Sequence, residues 1–524
     1  MALSASSTPD ETAGARPGPR FSIVVPVHRT PAELLEAAIA SVTDQTLASW
    51  ELLVVDDGPT ASGVQAVVDS LDDPRIRVAR PTPGDPLGGA RGEWITFLDQ
   101  DDLLAPEALE ICSDRLSGNP ECDVLYTDED WIDPDGEPLG RFLKPDWSPE
   151  RLRCQHYVSH LSVFRSELIE RVGGMRPGFD ESQDHDLALR TTESARSIVH
   201  VPLVLYHRRM RPGQVGTIGG RAASEAARRA IEEHCNRIGV EATVEQIDRP
   251  GVYRLRRRLR AEPLVSLVIP TRGSTGLVNG SVRTFVTSAI RSVLERCTYP
   301  DLEFVVVPDA ETPPAVMAEL AELLGDRLTI LPYEGPFNFS HKINLGVAAA
   351  SGAYVVLLND DIEVITPDWI ETMLGIGQQP DVGMVGATLL FEDGTLQHAG
   401  HLYLSETAMG HVAYGEDSAA PGPGMGLLTD RECSGVTAAC ALMARRTFFE
   451  VGGLSRQLPV NYNDVDLSLK VRSLGYRIVV TPHARLHHYE SRTRRSGIGS
   501  SELALIRRRW GRTLLEGDPY WRHP

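Results

Sequence analysis

The sequence predicts an α/β protein in which one mainly parallel, open-sheet domain occurs twice. Three observations carry this. First, FSIVVPVHRT, ELLVVDDGP, WITFLDQDDLL and RVGGMRPGFDESQDHDLALR are followed, in the same order, by VSLVIPTRGS, EFVVVPDAE, YVVLLNDDIEV and EVGGLSRQLPVNYNDVDLSLK. Second, short apolar runs alternate with segments of helical periodicity, the pattern of right-handed crossovers between parallel strands. Third, acidic residues stand where the apolar runs end, and strand ends are where open α/β sheets take nucleotides.

Within the first repeat, SIVVPV reads as a strand closed near Pro26, with His28 in the turn after it. Leu34, Leu35, Ala38, Ile39 and Val42 follow at helical spacing. Glu51–Val55 reads as a second strand ending in Asp56-Asp57-Gly58, then a helix at about 62–70, a third strand near Ile76–Ala79, and a fourth over Trp94–Leu98. Residues 208–262 read as a structured connection: a Gly-rich turn, the helical SEAARRAIEEHCNRIG, then a basic strand-like stretch. The second repeat starts at Val265, and a helix follows residue 496. The division is therefore a disordered tail over 1–19, domains over 20–210 and 263–495, a connection over 211–262, and a helix and tail over 496–524.

Composition narrows the class. The chain of 524 residues is 42% apolar and 24% charged, ordinary for a globular protein, and its net charge of −20 argues against nucleic acid as a partner. The Arg clusters at 254–260 and 506–512 read as solvated faces first and as contacts to an anionic lipid surface second. No apolar run reaches the length of a membrane span, and the first residues lack a signal's apolar core, so the expectation is a cytoplasmic chain with at most peripheral membrane contact. Its seven cysteines form no CxxC pair and read as reduced thiols.

Four constellations carry chemistry. Asp99 and Asp101 alternate at the end of a buried strand, and alternate residues of an extended segment share a face, so the pair suits a hard divalent cation beside a diphosphate. Asp56 and Asp57 end another strand, where a carboxylate accepts from a ribose hydroxyl or a base N–H, though DDG is also an ordinary turn. Asp184 begins a helix, which keeps a carboxylate ionised; it reads as a general base or as a helix cap. His207 follows Asp184 at the same offset as His487 follows Asp464, which makes both histidines candidate metal ligands.

Jointly, VVPV, VVDDG, LDQDD, VGGMRPGFD and QDHD, with IPTR, LNDDIEVI, PFNFSHKIN, DGTLQHAG, TAACALMARR, NDVDLSLK and LHHYES, resemble a tandem family 2 glycosyltransferase of the bacterial rhamnan or O-antigen type. The resemblance covers roughly residues 20–495. It implies two GT-A domains, Rossmann-like with a mainly parallel sheet; a nucleotide-diphosphate sugar donor; a glycan or lipid-linked glycan acceptor; and Mn²⁺ or Mg²⁺. Carried over by residue, it implies Asp184 and Asp464 as catalytic bases. Pro26, His28, Asp56, Asp57, Asp99, Thr271, Asp309, Asn359 and Asp360 fall at the nucleotide-sugar positions, and Asp101, His207, Asp361 and His487 at the metal positions. Two departures stand out: Pro308 replaces the first Asp of VVDDG, and Asn359 replaces the first Asp of the strand-end pair. The rivals are one active domain with an accessory partner, a nucleotidyltransferase and a noncatalytic glycan-binding protein. The turns PVHRT and PTRGS are not Gly-rich enough for the nucleotidyltransferase, and the persistence of the acids opposes the noncatalytic reading.

Overall fold

The computed structural model describes residues 18–28, 30–56, 63–80, 89–179, 182–210, 221–278, 280–489 and 500–522. Asp57, most of the amino-terminal tail and the Gly-rich turn of the connection lie outside them. The chain forms two compact units. One contains the residues up to Leu139 together with His160–Gly174 and Ser194–Arg209; the other contains Gly140–Ser159, Met175–Glu193 and Met210 onward. Asp184 therefore belongs to the second unit, although it lies in the first sequence repeat.

The main sheet of the first unit runs Ile76–Ala79, Trp50–Asp56, Phe21–Val27, Trp94–Phe97, Ser162–Arg165, Cys122–Ile132, Ser197–Arg209, Leu103–Leu104. That of the second runs Leu328–Ile330, Leu302–Pro308, Val265–Thr271, Tyr354–Leu358, Cys440–Ala444, Val382–Leu390, Arg477–His488, Ile362–Val364. Both sheets use the same succession of pairings: three parallel, two antiparallel, one parallel, one antiparallel. The duplication read from motifs is a duplication of topology, and the α/β, mostly parallel expectation holds.

The reason lies in the strands. VSLVIPT is buried along its whole length, as a parallel strand covered on both faces must be. Leu267, Ile269, Phe304 and Val306 pack one face with Ile290 and Leu320 from helices Phe285–Arg296 and Pro314–Leu324. Val268 and Val305 pack the other with Ile343 and Val347 from Phe339–Ala349. Phe21, Ile23, Leu52, Val54, Ile39 and Val42 do the same in the first unit.

The connection contains the helix Arg221–Arg237 and an antiparallel hairpin of Ala242–Gln246 with Tyr253–Arg257. Its arginines are spent internally. Arg254 and Arg256 pair with Asp368, and Arg257 with Glu150 and Asp430. Arg257 is buried with its partners, so that part of the cluster is an internal ion-pair site and not the solvated face expected from the sequence. Arg507 pairs with Glu406 and Arg509 with Asp466. Among the described residues no helix is long and apolar enough to cross a membrane, and all seven cysteines are free thiols.

Candidate functional site

At the carboxyl ends of the second sheet's parallel strands lies a cavity of about 970 Å³. Its lining includes Pro270, Thr271, Asn359, Asp360, Asp361 and Asp464, so one space collects most of the residues the sequence marks in the second repeat.

One wall is built for a cation. Asp361 follows the strand Tyr354–Leu358, and His488 closes the strand Arg477–His488. His488 Nε2 lies 3.2 Å from Asp361 Oδ1 and 3.0 Å from Asn359 Nδ2. On the far side of the ring, His488 Nδ1 lies 2.6 Å from Gln397 Oε1. An amide oxygen only accepts and an amide nitrogen only donates, so the neutral imidazole carries its proton on Nδ1, and its Nε2 accepts from Asn359 beside the Asp361 carboxylate. Asp361 Oδ1 is buried and has no hydrogen-bond partner. A carboxylate and an imidazole nitrogen thus stand side by side, the pair a divalent cation would take in exchange for the Asn359 contact, and Gln397 fixes the tautomer as an outer-shell group does at a metal. These residues fit the divalent cation that the sequence implies.

The structure brings His488, and not the expected His487, beside Asp361 in this cavity. His487 Nδ1 instead meets Phe391 O at 2.9 Å, and its ring stacks on Tyr489. Consecutive strand residues point to opposite faces, and the equal offset selects the one that faces Phe391 and Tyr489.

The opposite chemistry sits at Asp464. It lies in the first turn of the helix Asn463–Ser473, which is entered through Tyr462 in the left-handed region at φ 58°. Asp464 Oδ1 accepts from the Val465 N–H at 2.9 Å, and Oδ2 faces His401 Nε2 at 3.6 Å. Burial works against the charge, but the contact with His401 and the Val465 N–H outweigh it and hold the carboxyl well below the usual range. Asp184 occupies the same place on Gln183–Ser194: Oδ1 accepts from the His185 N–H at 2.8 Å, and Oδ2 lies 3.2 Å from His156 Nε2. The carboxylates two residues on are structural. Asp186 is clamped by Arg176 and Arg190, and Asp466 by Lys470 and Arg509.

The remaining second-repeat residues divide. Thr271 Oγ1 donates to Asp360 Oδ2 at 2.5 Å, tying the first parallel strand to the strand-end acids. Burial and the neighbouring Asp361 charge push the Asp360 carboxyl up to about 7. Asp309 is absent from the cavity lining; its Oδ1 takes an ion pair from Lys342 Nζ at 2.8 Å, and the same ammonium donates to Thr271 O. This accounts for much of PFNFSHKIN. Asn338 caps the helix by accepting from the His341 N–H, Ser340 donates to Leu458 O, and Lys342 neutralises Asp309.

In the first unit, Gln100 Oε1 accepts the His28 N–H at 2.6 Å, the counterpart of the Thr271–Asp360 tie. Pro26 is exposed in its strand, and Asp56 ends Trp50–Asp56 half-buried. Asp99 Oδ2 lies 3.6 Å from His160 Nε2. The Asp101 carbonyl accepts from Arg209 Nε at 3.0 Å. Asp102, a residue the sequence reading left without a role, accepts from Tyr206 O–H at 2.7 Å and from the Arg209 N–H at 2.7 Å; burial and the Asp99 charge push it up to about 8. His207 Nδ1 meets Asp130 Oδ1 at 2.7 Å.

Sequence reasoning missed His488, Gln397, His401 and His156. DGTLQHAG contained the signal for Gln397, as the only amide in the motif, while the adjacent pair His487-His488 left the second histidine undistinguished.

The chain is 38% identical over 525 residues to the uncharacterized protein y4gI of Sinorhizobium fredii, covering 94% of this chain and 56% of that one. It is 35% identical over 519 residues to the O-antigen biosynthesis protein RfbC of Myxococcus xanthus, covering 96% of this chain and 40% of that one. The chain thus spans about half the length of these relatives. A crystal structure of S. aureus TarS 1–349 in complex with UDP-GlcNAc matches with a TM-score of 0.33 at 19% identity, over 41% of this chain and 66% of that one. The model of glycosyl transferase family 2 matches residues 22–173 and again 266–451, and the chain belongs to that family.

Proposed function

We propose that the second-repeat cavity binds a nucleotide-diphosphate sugar and passes the sugar to a glycan hydroxyl, and that the first repeat forms a second transfer centre, so that the chain adds sugars in bacterial cell-surface polysaccharide assembly. The observation that carries this is the presence, in one cavity, of the Asp361 carboxylate 3.2 Å from His488 Nε2 and an ionised carboxylate on Asp464. Asp361 and His488 would hold Mn²⁺ or Mg²⁺, and an imidazole in the donor set favours Mn²⁺. When bound, the cation neutralises the diphosphate as it leaves. Asp464 takes the proton of the acceptor hydroxyl as that oxygen forms its bond to the sugar. Beyond the strand-end acids Asp360 and Asp361, Asp464 is the one carboxylate in the cavity lining among the described residues. That suits a single displacement with inversion, since a double displacement needs a second carboxylate as nucleophile.

In this reading the enzyme works in the cytoplasm, held at most peripherally where a lipid-linked acceptor lies. The ion pair between Asp309 and Lys342 favours a second reading, in which the second repeat assists and the first transfers. The deciding experiment incubates the purified chain with a panel of nucleotide sugars and glycan acceptors and follows release of nucleoside diphosphate with and without Mn²⁺ or Mg²⁺. Acceptor-dependent release that needs the cation is expected. Release unchanged by excess chelator, or by Asp464→Asn together with Asp184→Asn, would overturn the proposal.

A further inference from the structure

Around Asp464 the cavity lining includes three histidines, His398, His401 and His411, with one nitrogen of each within 4.8 Å of the others. That composition suits a borderline cation such as zinc, but their hydrogen bonds point elsewhere. His398 Nε2 lies 3.2 Å from the Thr437 backbone N–H, which can only donate. Neutral His398 therefore carries its proton on Nδ1 and gives it to His411 Nδ1 at 2.6 Å. Desolvation keeps both rings neutral, pushing His398 well below its ordinary value and His411 down to about 4. The lone pairs a metal would need are already engaged.

His401 is wired differently. Its Nε2 faces Asp464, which only accepts, so the proton sits on Nε2 and the bare Nδ1 faces the Tyr403 hydroxyl at 3.1 Å. Tyr403 is fully buried, which pushes its phenol well above the usual range and keeps it a donor. Gly400, at φ 100°, turns the chain into His401, and a Cβ on Gly435 would stand 2.7 Å from His401 Nδ1. The backbone has made room for this ring.

We infer that His401, backed by Tyr403, is a positioning residue for the base: its N–H fixes one oxygen of Asp464 while the Val465 N–H fixes the other, so the carboxylate meets the acceptor hydroxyl in one orientation. The Nε2–Oδ2 separation is 3.6 Å without substrate, and catalytic hydrogen bonds that are long in that state commonly tighten in the substrate complex. The independent support is Asp184. There His156 Nε2 faces the same carboxylate oxygen at 3.2 Å while the next residue's N–H holds the other. His156 follows the helix Pro149–Cys154, whereas His401 opens the strand His401–Tyr403, so the duplicated motifs did not supply the pair. Two unrelated elements each bring an imidazole to the same oxygen of a candidate base.

This rests on Asp464 being the base of the proposed transfer. In that step the acceptor O–H proton goes to Asp464, the acceptor oxygen bonds the anomeric carbon, and the diphosphate leaves with the electrons of the broken bond; His401 keeps its own proton. The titratable groups facing Asp464 are His401 and Tyr403 from one strand and His411 from the strand paired with it. Because His401 helps depress the Asp464 carboxyl, removing it must raise that pKa and move the acid limb of kcat/KM to higher pH.

The test uses the full chain with donor, acceptor and Mn²⁺. His401→Leu is expected to lower kcat about 10- to 100-fold, part of the 10²–10⁴ typical of a whole general base, with donor KM held and the acid limb shifted upward. His401→Gln, which keeps an N–H, restores most of the rate, and His401→Leu adds nothing to Asp464→Asn. If His401→Leu does not fold, Tyr403→Phe carries the test through a smaller loss of kcat in the same direction. Full activity of His401→Leu beside a dead Asp464→Asn overturns this inference alone. Full activity of Asp464→Asn overturns the base assignment and this inference with it. One equivalent of tightly held zinc, lost in His398→Ala and His401→Leu, would make the cluster a metal site instead.

Discussion

The two sheets have one strand order and one succession of pairings, yet they part beside the histidine that each carries on the matching strand, His207 in the first repeat and His487 in the second. The next residue is Arg208 in one and His488 in the other. His488 places its Nε2 3.2 Å from Asp361 Oδ1. Arg208 offers only donors, and the charges of Glu129, Asp102 and Asp99 hold its guanidinium above even its usual range. Facing acids at a strand end need a positive charge when a diphosphate arrives. In the proposed reading the second repeat recruits one as a metal ion, while the first carries one covalently. Equal topology does not imply an equal source of charge.

The strongest way to break the comparison is to remove each base. Asp464→Asn and Asp184→Asn should each cost about 10²–10⁴-fold in one transfer step, because an amide keeps the shape of the carboxylate but takes no proton. Product analysis on a defined acceptor should show a different missing sugar for each. If one substitution stops all addition and the other changes nothing, only one centre works.

The metal contrast comes next. Chelator should stop the step assigned to Asp464 and spare more of the step assigned to Asp184. Gln397→Leu should weaken Mn²⁺ binding about 10- to 100-fold, as loss of an outer-shell partner does, and this is readable by titration calorimetry without any turnover. Arg208→Gln should depress the first-repeat step and leave the second untouched. Equal chelator sensitivity of both steps would remove the distinction drawn from Arg208.

How much of this was legible depends on distance along the chain. The parallel strands were, since each is a short apolar run with a turn after it, and so were the acids at their ends. The antiparallel half was not. Cys122–Ile132 reads CDVLYTDEDWI, a polar stretch by eye, yet Asp128 and Glu129 are buried within it. The choice between His487 and His488 turns on strand phase, which one residue of slip reverses. Asp309 looked free because Lys342 belongs to another element, and His156 and His401 reach their carboxylates only through the fold. Contacts made by the fold between remote residues leave no local spacing to read.

The smallest effect lies beside the bases themselves. Asp184 is followed by His185, and Asp464 by Val465. His185 is buried, its Nε2 meets Leu152 O at 2.9 Å, and burial together with the stacked His156 pushes it down to about 3. The sign follows from linkage. The unfolded chain takes a proton on this histidine near pH 6.5 and the folded chain does not, so stability is full above that pH and falls as the pH drops toward 3. Between pH 7 and pH 5 the loss is about 2 kcal/mol. His185→Val transplants the second-repeat residue and removes the titrating group. The variant should show a flatter dependence of melting temperature on pH between 7 and 5 than the parent, at the cost of the hydrogen bond to Leu152 at all pH values. Parallel melting curves for the two proteins across that range would mean that His185 titrates alike in both states, and that the acid sensitivity of this helix has another source.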